Sequence, residues 1–362
     1  MKQHLIDLAD YSVGQWLRIV ELAGEIQKHP GWYSDSCHGK VMGTMFFEPS
    51  TRTQLSFQTA MLRLGGQVIG FENPLNTSVA KGESLKDTVR IVSTYADICV
   101  MRHPQEGSAR AASLYSSCPM VNAGDGGHLH PTQTLTDLVT LKQHKGRLEG
   151  LTIGLCGDLK NGRTVHSLIR AMRRFPHNRF VLISTPLLSA PDYIKEELGQ
   201  NRCPYREVSS LEEAIGGLDV LYMTRIQRER FASEEAYQRE KDVYVLDQKK
   251  LDLAKPDLAV LHPLPRVDEI ADQVDDDPRA VYFQQAECGM YARMALILTM
   301  LEAPYRQQPA PCSPEPRVCA NPRCVTCSER YLPPLVLENQ KGERVCGYCE
   351  QPIAAGLEGD GR

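Results

Sequence analysis

Short apolar runs recur along most of the chain and alternate with stretches whose apolar residues return at helical spacing. We interpret the runs as strands, and they cover residues 41–47, 96–101, 120–123, 152–157, 179–184, 220–223, 243–246 and 258–261. Strands that alternate with helices are typical of parallel sheets covered on both faces. Because the alternation continues through both halves of the chain, the sequence predicts an α/β fold with two doubly wound parallel-sheet domains.

The boundary between the two domains is marked by a change of pattern. The glycine-containing stretch 145–150 has the character of a loop that opens a second domain. A helical pattern at about 287–302 closes the second half. We therefore expect a first domain at 1–134 and a second at 135–302, whose last helix returns to the first domain.

The end of the chain differs in composition from the rest. Residues 303–317 hold five prolines, a density that disfavours helix and predicts an extended linker. The remaining piece, 318–362, is too small for a sizeable core of its own, yet five of the twelve cysteines lie in it. In a reducing compartment such crowding favours a metal site over disulfides.

The cysteine spacing predicts a small zinc-binding β domain at 318–362. The pairs Cys319-x4-Cys324 and Cys346-x2-Cys349 have the spacing of a tetrahedral zinc site. Cys327 offers an alternative pair with Cys324, so one of the five thiols is left over. We expect structural zinc on Cys319, Cys324, Cys346 and Cys349, and the spacing leaves iron open as the metal.

Composition narrows the class of protein. The chain has 362 residues, 42% of them hydrophobic and 24% charged, with a net charge of -4, which predicts neither disorder nor a polyelectrolyte surface for nucleic acid. The first residues lack the apolar core of a signal peptide, and no apolar run approaches the roughly 20 residues that span a bilayer. We expect a cytoplasmic globular protein that binds neither nucleic acid nor membrane.

Candidate chemistry begins at residues 46–53, Phe-Phe-Glu-Pro-Ser-Thr-Arg-Thr, which end a predicted strand and enter a helix. Unpaired N–H groups and the positive dipole end at a helix start favour phosphate. Hydroxyls and Arg52 would complete such a cradle. A Ser-Thr pair at a helix start is, however, more often an N-cap than a ligand site.

Five further polar segments follow predicted strands, at the sheet edge where open α/β sheets bind ligands. They are 101–106, 130–134, 157–166, 223–227 and 262–266. A lone His130, Arg163 or Arg225 would more often be structural or an ordinary surface cation. It is the convergence of six polar loops that predicts a binding site.

Taken in order, the segments resemble the aspartate carbamoyltransferase family over about residues 1–305. The resemblance is carried by 46–53, 102–107, 122–126, 130–137, 157–167 and 262–270. The Ser-Thr-Arg-Thr motif is shared with ornithine carbamoyltransferases. The discriminating segment is His262-Pro-Leu-Pro-Arg266, where the ornithine enzymes usually carry a cysteine-containing loop.

The resemblance implies transfer of a carbamoyl group from carbamoyl phosphate to L-aspartate in de novo pyrimidine (UMP) synthesis, with no cofactor for catalysis. The implied catalytic residues are Arg52, Thr53, Lys81, Arg102 and His130. The implied carbamoyl phosphate ligands are Ser50, Thr51, Arg52, Thr53, Ser78, Lys81, Arg102, His130, Gln133, Leu264 and Pro265. The implied aspartate ligands are Lys81, Arg163, Arg225, Gln227 and Leu264. Thr53, Arg102 and His130 would stabilise negative charge on the carbonyl oxygen.

The resemblance also implies an assembly. Ser78 and Lys81 lie in a polar loop like the one that each subunit of the family lends to its neighbour, so a homotrimer with shared active sites is expected. The C-terminal cysteine segment is similar to the zinc domain of the family's separate regulatory chain, without the nucleotide-binding domain. We expect a fused module that joins trimers, without nucleotide control at the usual site.

One departure from the family pattern lies beside the phosphate motif. Gln54 and Gln58 stand where Arg and Glu are usual, at i and i+4 on one helix. We expect an exposed amide pair that leaves the phosphate site intact.

Two alternatives stay open from the sequence. The chain is either a carbamoyltransferase with another acceptor, such as ornithine, or a catalytically silent homologue that acts as a zinc-tethered scaffold. Arg163 and Arg225 disfavour the first alternative. The intact phosphate motif, Arg102 and His130 disfavour the second.

Overall fold

The computed structural model describes residues 4–241, 243–302, 304–306, 319–339 and 342–353. The strands are β1 Val41–Phe46, β2 Gln67–Phe71, β3 Ile98–His103, β4 Met120–Asp125, β5 Thr152–Cys156, β6 Arg179–Ile183, β7 Tyr205–Val208, β8 Val220–Met223, β9 Ala259–Leu261, β10 Val336–Glu338 and β11 Arg344–Cys346. The helices are α1 Val13–Lys28, α2 Thr51–Arg63, α3 Leu85–Tyr95, α4 Ser108–Ser113, α5 Pro131–Lys145, α6 Arg163–Met172, α7 Asp192–Gln200, α8 Leu211–Ile215, α9 Glu234–Glu240, α10 Gln248–Leu251 and α11 Tyr282–Leu301.

The first of two compact units takes in the described residues of Met1–Ser12, Ile26–Thr132 and Arg293–Arg362. Its main sheet is parallel throughout, in the order β2-β1-β3-β4. Leu5 extends the sheet by a parallel bridge to Val121 of β4. The polar loops after β1, β3 and β4 leave the same edge of this sheet, because parallel strands share their direction.

The second unit takes in Val13–Glu25 and Gln133–Ala292. Its five strands are also parallel, in the order β7-β6-β5-β8-β9. Every residue of β8 and β9 is buried, as expected for parallel strands with both faces covered. The loops after β5, β8 and β9 therefore leave the carboxyl edge of this sheet side by side.

The prediction of two parallel-sheet α/β halves is confirmed, and one predicted strand is wrong. In segment 243–246 only Leu246 pairs, through an isolated bridge to Ile270, and β9 is the last strand of the sheet on that side. Tyr244 is apolar for a different reason, since it is buried and its hydroxyl donates to Ser209 O in the loop that follows β7, whereas Val243 is exposed. Two strands, β2 and β7, were not predicted.

The small C-terminal β unit is also confirmed, as an antiparallel pair formed by β10 and β11. We call the described residues 319–339 and 342–353 the cysteine module. Most of the predicted linker 303–317 and the segment 354–362 lie outside the described residues. The cysteine module belongs to the first unit and shares one buried cluster with the main sheet and helices of that unit, in which Leu332 and Tyr348 pack with residues such as Met101 and Ala109. The module thus completes its core on the first unit.

Gln54 corrects the expectation of an exposed amide pair. Its side chain is 8% exposed, so it is buried in the first turns of α2, and only Gln58 is partly exposed.

Among the described residues, none of the helices combines the length and the apolar character needed to cross a lipid bilayer.

Candidate functional site

The predicted phosphate motif forms the start of α2. Ser50 is the residue before the helix, and its hydroxyl donates to Thr53 Oγ1 at 3.0 Å without capping a backbone N–H. Thr51 and Arg52 are exposed on the first turn, whereas Thr53 is buried. The motif therefore presents backbone N–H groups and hydroxyls together at a helix N-terminus, as an anion site requires.

Positive charge is concentrated beside this helix start. Burial, followed by the nearby charge of Arg102, lowers the pKa of Arg52, so the two guanidinium groups lie close together. Arg102 Nε is 3.2 Å from Glu48 Oε2, in an ion pair that lacks hydrogen-bond alignment. An anion placed between Arg52 and Arg102 would relieve their mutual repulsion.

Gly124 lets Arg102 and His130 approach one another. Its φ is +125°, and a Cβ placed there would lie 3.2 Å from Arg102 Nη1 and 3.5 Å from His130 Cδ2. His130 is 7% exposed and directly precedes α5, with its Nδ1 3.4 Å from Thr132 Oγ1. A cation and an imidazole thus meet over a glycine, and both can donate to a carbonyl oxygen.

Asp125 holds the loops that carry Arg102 and His130, and sequence reasoning gave it no role. Its Oδ1 accepts from Leu129 N at 3.0 Å and its Oδ2 accepts from Gly107 N at 2.9 Å. The signal available in the sequence was its place within the family segment 122–126, but its partners lie in two other segments.

Ser78 and Lys81 lie on a short 3-10 turn of the first unit. Both are exposed, and Thr77 opens the turn by accepting from Val79 N. Within the part of the chain that the structure describes, no hydrogen bond or ion pair joins Ser78 or Lys81 to the residues of the phosphate motif. The structure therefore does not bring this turn into the same cluster within one chain.

In the second unit, Asp158 holds together the loops that follow β5 and β8. Its carboxylate accepts from Asn161 N at 3.0 Å, its own N–H donates to Thr224 Oγ1 at 3.1 Å, and Gln227 Nε2 lies 3.5 Å away. Asp158 is fully buried, and burial raises its pKa against the effect of these hydrogen bonds. This carboxylate was also missed by sequence reasoning.

Arg163 and Arg225 are carried by these two loops. Arg163 is the first residue of α6, and Arg225 is partly buried after β8. Gly157 allows the close packing, since a Cβ there would lie 2.5 Å from Thr224 O. Arg163 and Arg225 are thus carried by two loops that the buried Asp158 joins through hydrogen bonds.

A cavity of about 490 Å³ opens beside Arg225. Its lining consists of Arg225, Arg228, Phe231, Ala232, Ser233 and Glu234. Arg228, which sequence reasoning did not single out, pairs through Nε with Glu234 Oε2 at 2.9 Å. The cavity offers guanidinium groups to a small anionic molecule.

The loop after β9 is built around His262. Leu264 N donates to His262 Nδ1 at 2.8 Å, so Nε2 carries the proton and donates to Glu269 Oε1 at 2.7 Å. Leu264 has φ +52° and precedes a cis peptide bond to Pro265. A bulky residue in the left-handed region is rare and marks a constrained backbone, here set by the ring of His262.

A buried hydrogen-bond chain links Gln133 to this loop within the second unit. Gln133 Nε2 donates to Asp137 Oδ1 at 2.8 Å, Gln285 Nε2 donates to the same oxygen at 2.7 Å, and His262 N donates to Gln285 Oε1 at 2.9 Å. The predicted residues Gln133 and Leu264 are therefore positioned by one network.

The four predicted metal ligands come together in the cysteine module. The Sγ atoms of Cys319, Cys324, Cys346 and Cys349 all lie within 4.8 Å of one another, with Cys319 and Cys349 at 3.5 Å and Cys324 and Cys346 at 3.9 Å. A tetrahedral ion 2.3 Å from each sulfur would separate the sulfurs by about 3.8 Å, so the donor set fits such an ion. Cys327 is exposed and bonds to Asn321 O instead.

Comparison with known proteins identifies the family of the chain. The family model for the carbamoyl-P binding domain of aspartate/ornithine carbamoyltransferase matches residues 3–143, and the model for its Asp/Orn binding domain matches residues 149–300. The aspartate carbamoyltransferase catalytic subunit of Clostridium perfringens strain SM101 is 59% identical over 300 residues, which cover 83% of this chain and 98% of the relative. The catalytic subunit of Lachnoclostridium phytofermentans is 58% identical over the same shares.

Solved structures give the same family. The catalytic subunit of M. jannaschii aspartate transcarbamoylase superposes with a TM-score of 0.79 at 44% identity, covering 83% of this chain and 98% of that one. Aspartate transcarbamoylase from Trypanosoma cruzi in complex with N-(phosphonacetyl)-L-aspartic acid gives a TM-score of 0.76 at 36% identity, covering 82% and 95%. The chain therefore belongs to the aspartate/ornithine carbamoyltransferase family.

Proposed function

We propose that the chain is an aspartate carbamoyltransferase that makes N-carbamoyl-L-aspartate and phosphate from carbamoyl phosphate and L-aspartate. The neutral aspartate amine attacks the carbonyl carbon, the bond from that carbon to the bridging oxygen breaks, and phosphate leaves with the proton that the amine nitrogen gives up. The observation that carries the proposal is the grouping of the α2 start with Arg52, Arg102 and His130. The relatives named above are aspartate carbamoyltransferases, which supports the same reaction.

The first unit supplies the groups that this reaction needs on its phosphate side. Ser50, Thr51, Arg52 and Thr53 hold the phosphate, with Ser78 and Lys81 reaching it from a neighbouring subunit. Arg102, His130 and Thr53 donate to the carbonyl oxygen, where negative charge grows during attack. Loss of one such donor typically costs about 2.7 to 4 kcal/mol of barrier. When carbamoyl phosphate binds, Arg102 would leave its ion pair with Glu48 and pair with the substrate instead.

The second unit supplies the acceptor side. Arg163 and Arg225 each bind one carboxylate of aspartate through forked, charge-assisted hydrogen bonds, and Gln227 supports the second. Backbone carbonyls at Leu264 and Pro265 orient the amine, and Gln133 orients the carbamoyl NH2. Two cations suit a dicarboxylate acceptor better than the cationic side chain of ornithine, which is the second candidate acceptor.

We propose that the cysteine module binds structural zinc, which supplies no chemistry to the reaction. Burial raises the pKa of the Cys319 thiol, and a bound cation would favour the thiolate form of the clustered cysteines. Protein in which Cys327 is replaced by serine should keep one metal ion per chain, and Cys346→Ser should lose it. Metal analysis of the purified variants tests the assignment and separates zinc from iron.

A homotrimer with shared active sites is the proposed assembly. The turn that carries Ser78 and Lys81 is exposed and is not grouped with the phosphate motif of its own chain. Leu55 and Leu62, seven residues apart on one face of α2, are 55% and 60% exposed, so this unit presents apolar surface that a neighbour would cover. The proposed location is the cytoplasm, with the product entering pyrimidine synthesis.

One assay separates the candidate functions. Purified protein is given carbamoyl phosphate with either aspartate or ornithine, and phosphate release is followed. We expect release with aspartate alone. Turnover with ornithine would support the second acceptor, and no turnover with either would support a catalytically silent scaffold.

A further inference from the structure

Residues of the cysteine module form hydrogen bonds and an ion pair with Glu106, which lies in the loop after β3. The Glu106 carboxylate is 3% exposed, accepts from Asn321 Nδ2 at 2.7 Å and pairs with Arg323 Nε at 3.1 Å. Its backbone N–H donates to Arg323 O and its carbonyl accepts from Val325 N, both at 2.9 Å. Glu106 lies four residues after Arg102, so these contacts hold the loop that follows β3, the strand that carries Arg102.

The residues on either side of Glu106 also meet the module. Gln105 Oε1 accepts from Ser328 Oγ at 2.8 Å. Gly107 has φ +84°, and a Cβ there would lie 2.6 Å from the backbone C and O atoms of Tyr348. Three consecutive loop residues therefore contact the module, and at Gly107 the approach is too close for any side chain.

A second contact reaches the loop that carries His130. Glu350 of the module lies with Oε2 3.5 Å from Nε2 of His128. His128 Nδ1 is 3.1 Å from Asp125 Oδ2, the oxygen that also accepts from Gly107 N. Asp125 thus joins the two loops, and the cysteine module contacts both loops, at Glu106 and at His128.

We propose that the cysteine module is a positioning element for the active site of its own chain. Through Glu106 and Glu350 it keeps segments 102–107 and 125–130 in the arrangement that places Arg102 and His130. Residues that orient binding groups without touching the substrate commonly set how well those groups are preorganised. The inference rests on the proposed carbamoyl phosphate site and adds that metal in the module supports it within one chain.

Hydrogen exchange on the full-length protein tests the positioning directly. Removal of the metal with a chelator should speed amide exchange in segments 102–107 and 125–130, while β6 in the second unit serves as the internal reference. This readout does not depend on turnover, so it stands even if the assay with aspartate fails. Unchanged exchange in both segments after proven metal loss would overturn the inference.

Matched variants test the two contacts. Glu106→Gln and Glu350→Gln remove one charge each, and Glu338→Gln makes the same change on the exposed surface of the module. We expect Glu106→Gln to raise the carbamoyl phosphate KM about tenfold, as for the loss of a charge-assisted hydrogen bond, with a smaller change in kcat. Glu338→Gln should match the wild type in both constants.

Glu350→Gln keeps the test decisive if Glu106→Gln fails to fold. Glu350 is exposed, and its variant should raise the same KM severalfold while keeping its metal. Faster exchange at 125–130 without metal loss would support positioning by this contact. A folded, metal-loaded pair of variants with wild-type KM and wild-type exchange would contradict the proposal.

Discussion

Gly124 has a backbone conformation that favours glycine, and it lies directly against two proposed catalytic residues, Arg102 and His130. It combines a positive φ with the absence of a Cβ, and the space that a Cβ would fill is taken by Arg102 and His130. Gly146 provides a comparison, since it also has positive φ, +69°, but nothing lies within 4 Å of its Cβ position. The two glycines share a positive φ, which strains any other residue, and they differ in their neighbours.

Gly124→Ala should therefore lose activity beyond what strain explains. Both alanine variants carry a backbone cost for a positive φ, which is about 1–2 kcal/mol at Gly146 in the left-handed region and no smaller at Gly124, whose φ of +125° lies outside that region. In Gly124→Ala alone the methyl group would lie 3.2 Å from Arg102 Nη1, so the guanidinium must shift by a few tenths of an ångström, and we expect a severalfold loss of kcat from this shift. Steady-state kinetics and thermal unfolding of both variants check this. Equal kcat in the two variants would contradict the role of Gly124.

Glu269 gives a pH-dependent contribution to stability. Burial would raise its pKa, but the hydrogen bond from His262, together with hydrogen bonds from backbone N–H groups, lowers it overall. A carboxylate whose pKa is lowered on folding stabilises the protein above its ordinary pKa of about 4.3, and the contribution is lost as the pH falls through the lower folded value.

Glu269→Gln should make the free energy of unfolding depend less steeply on pH in the acid range. The unfolding free energy of the wild type should fall below about pH 4.3 more steeply than that of the variant, because the variant has no proton to take up at this position. Denaturant unfolding at a series of pH values measures the two slopes. Identical slopes would show that the His262–Glu269 contact contributes no pH dependence.

At the scale of elements, the sequence predicts the buried strands well and the exposed strands poorly. Strands such as β1, β4 and β8 are buried along their length, so they stand out as continuous apolar runs. Strands β2 and β7 are mostly exposed edge strands without such a run. The segment 243–246 has the apolar run but finds no place in the sheet, because pairing depends on the whole domain.

The candidate site, like the fold, could be predicted only in part from the sequence. The phosphate motif was predicted because its residues are adjacent in the sequence. The four clustered cysteines were predicted because their spacing is characteristic of a metal site. Asp125 and Asp158 were given no role, because their function lies in hydrogen bonds to other segments. Asp158, for example, joins to Thr224, which lies 66 residues further along the chain. Such hubs become visible only when the loops are placed in space.

Asp158→Asn should weaken acceptor binding selectively. The amide presents N–H groups toward Asn161, so the loop that carries Arg163 loses charge-assisted hydrogen bonds worth about 1.5 kcal/mol, roughly tenfold in the aspartate KM. Asp192→Asn, an exposed position at the start of α7, is the matched control. The carbamoyl phosphate KM should stay unchanged in both, and a parallel rise in both KM values would instead indicate general destabilisation.

For the whole molecule, the cysteine module raises the question of whether one small unit serves its own chain and also joins trimers. Its buried side is taken up by the first unit, through Tyr348, Leu332 and the contacts to Glu106. On β10, Leu337 is 43% exposed. A second contact between trimers would therefore use the outer strand of the module and leave the inner contacts intact.

Leu337→Lys and truncation after Leu301 test this assembly together. If modules join trimers, both changes should reduce the particle to a single trimer in analytical ultracentrifugation. Leu253→Lys, which charges an apolar residue of the second unit that is 55% exposed, should leave the particle unchanged. The point variant keeps the module and its inner contacts, so its activity should stay near the wild-type value, whereas truncation should also raise the carbamoyl phosphate KM. An unchanged particle size after truncation would mean that the module acts only within its own chain.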